Sequence, residues 1–208
     1  MEEHGHQHAH PPHRTGFHWL DISLALSAFF VSLVSLGLAI HNGRTMEKLV
    51  AANSYPNIDF SYGNGFDFGD GRGLRHAVYV SLDNTGIGPA RLRSIELGFA
   101  GKPAANLRGV LAVCCTEEPA ASLPKTDYRF TGDMRGAMIQ AGKSLNLFAW
   151  AEATADPRWA RLERVRGKIS VRVCYCSVFD ECYQRDSDSR EPRRVGACAV
   201  PAVPYTGD

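Results

Sequence analysis

The chain has 208 residues, and its 23 lysine and arginine residues nearly balance its 22 aspartate and glutamate residues. This balance excludes a strongly basic nucleic-acid-binding protein, so we expect no nucleic acid as a partner. If residues 1–54 are set aside, about 155 remain, which is enough to bury one hydrophobic core.

Residues 1–20 form a polar, histidine-rich tail, which we predict to be disordered because it offers little apolar surface for a core. Alternating imidazoles can bind Zn or Cu. The candidate metal ligands in the tail are His4, His6, His8 and His10. A solvated segment that binds metal only opportunistically is the interpretation we favour, so we expect no cofactor.

No charged residue lies between Ile22 and Ile40. A helix of this length spans about 28 Å, close to the hydrocarbon thickness of a bilayer. We therefore predict a transmembrane helix over residues 21–41, with Asp21 as its N-cap and the lipid bilayer as a partner. A cleaved signal peptide and a buried helix of a soluble protein are alternatives. Few basic residues precede the segment, which argues against a signal peptide. The segment has no polar face, which argues against a buried helix of a soluble protein.

Small residues recur in the apolar segment at steps of three and four, which lets two transmembrane helices approach closely. They are Ala25, Ala28, Ser32, Ser35 and Ala39. The pattern predicts a homo-oligomer, although chance explains such a stripe equally well. Residues 42–54 then form a juxtamembrane helix or linker.

From residue 55 the hydrophobic pattern changes to a period of two, which indicates β-strands. The predicted strands lie near 58–62, 78–82, 95–99, 128–130, 145–149, 169–175 and 182–185, with a glycine-rich loop at 63–73 and short helices at 107–114 and 157–166. The prediction is a mainly β fold: one transmembrane helix, then an antiparallel β-sandwich-like domain over residues 55–208 with one or two short helices.

Three segments of the chain are similar to a group of uncharacterised bacterial single-pass membrane proteins. They are TMEKLVAANSYPNIDF at 45–60, VSLDNTGIGPARLRSIEL at 80–97 and, as the most specific piece, VRVCYCSVFDECY at 171–183. The resemblance implies a bacterial membrane protein with a C-terminal β-sandwich-like domain, and it implies no activity. The histidine-rich tail lies outside the resemblance.

The chain has six cysteines, an even number that permits disulfides and would then imply an oxidising compartment. If residues 177–181 turn the chain back, Cys176 and Cys182 face each other across a hairpin. Cys174 then pairs with Cys114, Cys115 or Cys198. Two alternatives stay open: a structural Zn site, for example at Cys114, Cys174, Cys176 and Cys182, and buried free thiols.

The apolar segment predicts a single-pass membrane protein, and the resemblance implies the bacterial inner membrane. The cysteines favour a periplasmic domain. The basic residues near the span, Arg14 before it and Arg44 and Lys48 after it, lean weakly towards the alternative, a domain on the cytoplasmic face.

Histidine is absent after His76, so the later part of the domain has no Cys–His or Ser–His dyad, and the sequence disfavours an enzyme. We expect a membrane-anchored, non-enzymatic interaction or accessory module with an unknown protein partner. The alternative is a metal-handling or redox-responsive envelope protein that uses the cysteines or the histidine-rich tail.

Overall fold

The computed structural model describes residues 18–115, 127–132 and 134–207. The chain divides into two compact units, one ending at Leu49 and the other beginning at Val50. A single long helix, α1, runs from His18 to Ala52. It begins before Asp21, the predicted N-cap, which instead lies in its first turn, and it continues through most of the predicted juxtamembrane segment.

Helix α1 is long and apolar enough to cross a membrane, and its most apolar window is 0% buried. The core helix of a soluble protein is mostly buried, so this exposure does not fit that alternative. Serine hydroxyls in the segment donate to backbone carbonyls of the same helix: Ser23 to Leu20 at 2.9 Å and Ser32 to Ala28 at 2.8 Å. Such internal pairing is how a helix carries serines through an apolar solvent.

The second unit contains ten strands and two short α-helices in its described residues. The strands are β1 (Ile58–Asp67), β2 (Leu74–Asn84), β3 (Ala90–Phe99), β4 (Lys102–Ala104), β5 (Tyr128–Phe130), β6 (Met138–Ile139), β7 (Ser144–Ala151), β8 (Ile169–Cys176), β9 (Cys182–Asp186) and β10 (Arg193–Val195). The helices are α2 (Leu107–Cys114) and α3 (Pro157–Val165), and one 3₁₀ turn follows at Arg166–Lys168.

The strands form two antiparallel sheets. The first has the order β1-β2-β7-β5, and the second has the order β10-β9-β8-β3-β4, with β6 also paired to β3. Successive side chains of a strand point to opposite faces of the sheet, so Val78, Val80 and Leu82 of β2 all point into the core, and each is 0% exposed. They share one hydrophobic cluster with Val173 and Tyr175 of β8, so the two sheets enclose a common core.

The two helices cover this core with one face each, and both begin at a side-chain cap. Asn106 caps α2 by accepting from the Gly109 amide at 3.0 Å. Asp156 caps α3 by accepting from the Arg158 amide at 3.0 Å, and Pro157 begins the helix, where its missing N–H is not needed.

The mainly β, antiparallel prediction is confirmed, and the predicted strands and helices are present with longer strand ends. The glycine-rich loop was predicted too long, because β1 continues to Asp67 through a bulge between Gly63 and Gly65. The short strands β4, β6 and β10 were not predicted, since runs of two or three residues carry no readable periodicity.

Candidate functional site

Several strands end together where the chain enters the domain. Strand pairing sets Arg91, near the start of β3, opposite Cys176 at the end of β8, and Ala90 opposite Ile139 of β6. The turn after β2 lies at the same end, because it leads directly into β3. We call this end of the domain, formed by residues 54–57, 84–91, 138–139 and 176–182, the tether end.

The entering segment is fixed to the turn between β2 and β3. The carbonyl of Tyr55 accepts hydrogen bonds from the amides of Ile87 at 3.1 Å and Gly88 at 3.2 Å, and the carbonyl of Asn57 accepts from Thr85 at 2.8 Å. Gly88 has no room for a side chain, because a Cβ there would overlap the carbonyl group of Ser54. The entry segment is thus part of the domain's packed structure.

Asn84 organises this end from within, at 1% exposure. Its side-chain amide donates to the carbonyls of Gly88 at 2.8 Å and Ile139 at 2.9 Å. Its side-chain oxygen accepts from the backbone amides of Gly86 at 3.1 Å and Asn57 at 3.3 Å. One buried residue therefore joins the entry segment, the β2–β3 turn and β6.

The turn between β8 and β9, residues 177–181, is closed by Cys176 and Cys182, which pair across the hairpin with 4.0 Å between their Cα atoms. We call these five residues the closed loop. The Ser177 hydroxyl accepts hydrogen bonds from the amides of Phe179 at 3.1 Å and Glu181 at 3.3 Å. Asp180 adopts the left-handed conformation (φ 60°), which lets the chain turn back to β9. A cross-link and an internal network therefore hold this loop in one shape.

The closed loop points two apolar side chains outward, Val178 at 47% and Phe179 at 52% exposure. Ile87 and Met138, at the same end of the domain, are 63% and 56% exposed. Large apolar side chains held on a rigid loop are typical of protein-binding surfaces.

Ion pairs surround the apolar tips of the closed loop. Arg91 pairs with Asp180 of the loop, and Arg93 reaches the same carboxylate at 3.4 Å. Arg194 pairs with Glu181 at 2.7 Å. An apolar centre with a charged rim is the usual composition of a protein–protein interface.

Three tyrosines support the base of the loop. The ring of Tyr55 meets Tyr183 edge-on at 5.1 Å, and Tyr183 lies 5.9 Å from Tyr175. The Tyr175 hydroxyl accepts a hydrogen bond from the Ile58 amide at 3.3 Å. Burial raises the pKa of Tyr175 far above its ordinary value, and it also raises the pKa values of Tyr55 and Tyr183. The phenols therefore stay neutral at physiological pH.

All six cysteines lie in pairs at disulfide distance. Besides Cys176 with Cys182, which the sequence suggested, Cys174 pairs with Cys198, one of the three partners left open, with 5.7 Å between the Cα atoms. Cys114 pairs with its neighbour Cys115, which the sequence did not suggest. The four-cysteine Zn set is not assembled as proposed, since the compact sulfur group among the described residues is Cys176, Cys182 and Cys198, without Cys114.

The sequence also named candidate residues in the N-terminal part of the chain. The candidate ligands His4, His6, His8 and His10 lie outside the described residues. The small-residue stripe from Ala25 to Ala39 lies along α1.

The opposite end of the domain is dominated by charges that satisfy one another. Arg75 pairs with Asp70 at 2.8 Å, and Arg72 pairs with Asp127 at 2.9 Å. Hydrogen bonds from Arg72 lower the pKa of Asp70, and a hydrogen bond from Arg75 lowers that of Asp127. The tether end differs in that its exposed apolar side chains Val178 and Phe179 lie on a loop closed by a cysteine pair.

Only part of this site can be recognised from the sequence alone. The segment 171–183 stood out by its cysteines, but Ile87 and Met138 lie far from it in the chain, and only strand pairing brings them to one end. Comparisons with protein-family models, curated proteins and solved structures find no match for the chain. The resemblance to bacterial single-pass membrane proteins therefore stays a prediction.

Proposed function

We propose that the chain is a membrane-anchored, non-enzymatic interaction module that binds a partner protein through the tether end of its domain. The observation that carries the proposal is the closed loop, which exposes Val178 and Phe179 on a cross-linked, hydrogen-bonded frame. Because the loop is already held in one shape, binding loses little conformational entropy there.

The proposed location is the bacterial inner membrane, with α1 as its single span and the domain in the periplasm. The apolar character of α1 supports the span. The pairing of all six cysteines supports an oxidising compartment, since cytosolic thiols are kept reduced. A topology reporter fused at Asp208 tests the orientation: a reporter that works only in the periplasm should be active.

The proposed partner contacts Phe179 directly and presents an apolar surface with acidic or basic groups at its rim. A second copy of the chain is one form that this partner can take, and the small residues of α1 would support close helix approach in that case. A different membrane protein is the other form. The mass of a cross-linked product distinguishes the two.

Photo-crosslinking tests the proposal in intact membranes. A photoreactive phenylalanine analogue replaces Phe179 in the full chain, and a second version carries it at Leu74. Leu74 is 76% exposed and begins β2, whereas the tether end lies about 33 Å further along that strand at 3.3 Å per residue. We expect one adduct of defined mass from position 179 and none from position 74.

A substitution then links the adduct to the apolar tips. Val178→Asp places a charge beside the cross-linker and should lower the adduct yield at least tenfold, since the loss of an anchoring contact is worth about 1.4 kcal/mol or more. Equal labelling at positions 179 and 74, or no adduct at 179, would contradict the proposal.

A further inference from the structure

The two disulfide pairs of β8 lie side by side. Cys174 and Cys176 occupy alternate positions of the strand, so their side chains share one face. Cys174 is joined to Cys198 in the segment after β10, and Cys176 to Cys182 in β9. The sulfur atoms of Cys176, Cys182 and Cys198 all lie within 4.8 Å of one another. The sulfur of Cys198 is thus close to a disulfide of which it is not a member.

The four cysteines differ in their access to solvent. Cys176 is 1% exposed, Cys174 is 5% exposed and Cys182 is 9% exposed, whereas Cys198 is half-buried on an irregular segment. A thiol from outside the protein can therefore reach Cys198 more readily than the other three. The Cys176–Cys182 pair is protected from direct attack.

We propose that the Cys174–Cys198 disulfide is an entry point for thiol–disulfide exchange with an external dithiol, and that Cys198 passes the exchange to the Cys176–Cys182 disulfide. In the first step the dithiol reduces Cys174–Cys198 to two thiols and is itself oxidised to a disulfide, so two electrons enter the chain. In the second step the Cys198 thiolate attacks one sulfur of Cys176–Cys182. A new bond to Cys198 forms, the old bond breaks, and the released thiolate takes up a proton.

The second step involves no net oxidation or reduction, because one disulfide replaces another. Its structural result is that the cross-link at the base of the closed loop is lost and a cross-link to the C-terminal segment replaces it. The proposal goes beyond the interaction function and does not depend on it, since exchange can be measured without any partner.

The substitution Cys174→Ser tests the second step without a reductant, because it leaves Cys198 as a thiol beside an intact disulfide. The full chain in detergent is held at mildly alkaline pH, quenched with acid and an alkylating reagent, and digested with pepsin. Pepsin cleaves between the clustered cysteines, and the acid suppresses further exchange. We expect loss of the free Cys198 thiol in a fraction of the molecules, with a matching gain of free thiol at Cys176 or Cys182.

A matched control is Cys114→Ser, which leaves Cys115 unpaired outside the sulfur group. Its thiol should stay free. If Cys198 stays free in every Cys174→Ser molecule, or if Cys115 exchanges as readily, the proposal is overturned.

The wild-type chain provides a second test should Cys174→Ser fail to fold. One equivalent of a small dithiol is added, and the free thiols are mapped in the same way. Free Cys174 together with free Cys176 or Cys182 supports the proposal. Free Cys174 and Cys198 alone overturn it.

Discussion

Replacing the buried Asn84 with alanine should destabilise the domain at its tether end. The substitution removes two donated hydrogen bonds, to the carbonyls of Gly88 and Ile139, and two accepted ones, from the amides of Gly86 and Asn57. Water cannot readily replace the side chain, because the residue is 1% exposed.

The magnitude follows from which groups lose their partners. The residues Gly88 and Ile139 are buried, and an unsatisfied buried carbonyl costs about 1–3 kcal/mol. The amide groups of Gly86 and Asn57 belong to half-buried residues and lose less. We expect a loss of about 4 kcal/mol in the free energy of unfolding, a large part of the roughly 5–15 kcal/mol that holds a domain together. For a domain of this size the melting temperature should fall by about 10 °C.

Tryptophan fluorescence of the full chain in detergent measures this loss, because Trp150 and Trp159 lie in the domain core at 0% and 4% exposure. The matched control is Asn57→Ala, which removes one exposed side-chain bond, to the Thr85 hydroxyl at 2.8 Å, and should cost less than about 1 kcal/mol. Similar melting temperatures for Asn84→Ala and Asn57→Ala would refute the role given to Asn84.

Further predictions concern packing and pH. Gly88→Ala should destabilise the domain by about 2 kcal/mol or more in chemical denaturation, because its Cβ meets backbone, whereas Gly167→Ala has open space and should be neutral. Asp156→Ala should cost about 1 kcal/mol at neutral pH through loss of the helix cap. A hydrogen bond from Arg158 lowers the pKa of Asp156, so the carboxylate stabilises the fold above pH 3.8, the ordinary pKa of an aspartate. In acid denaturation, the difference in stability between the wild type and Asp156→Ala should disappear as the pH falls below that value. Burial raises the pKa of Tyr183, so its neutral phenol stabilises the fold below its ordinary pKa of 10.0, and this stability is lost as pH rises beyond that value. In alkaline titrations the free energy of unfolding of Tyr183→Phe should therefore fall less steeply with pH than that of the wild type.

The helices and strands that could be predicted are those whose sequence shows a clear hydrophobic period or a clear start signal. Val78, Val80 and Leu82 alternate cleanly, and Asp156-Pro157 marks a helix start, so β2 and α3 were found. The continuation of β1 was missed because glycines hide its periodicity: Phe66 still pairs with Arg75, beyond the bulge. Within a glycine-rich stretch, pairing with the neighbouring strand decides the structure, and the local sequence does not report it.

The candidate site was predictable only where it is local in the chain. The Cys176–Cys182 hairpin follows from its short spacing, whereas Cys198 could be chosen as the partner of Cys174 only once the segment after β10 was placed. From the sequence alone, Asn84 is typical of a turn residue. Its four hydrogen bonds depend on the approach of the entry segment and β6, which no local pattern encodes.

The proposed function requires α1 to be embedded in lipid, because the membrane would then tether the domain beside its partner. Membranes from cells that express the full chain should be washed with alkaline carbonate, and the intact chain located by its molecular mass. We predict that the chain, with its N-terminus uncleaved, remains in the membrane pellet and is released only by detergent. Recovery of the intact chain in the soluble fraction after cell breakage without detergent would contradict the account.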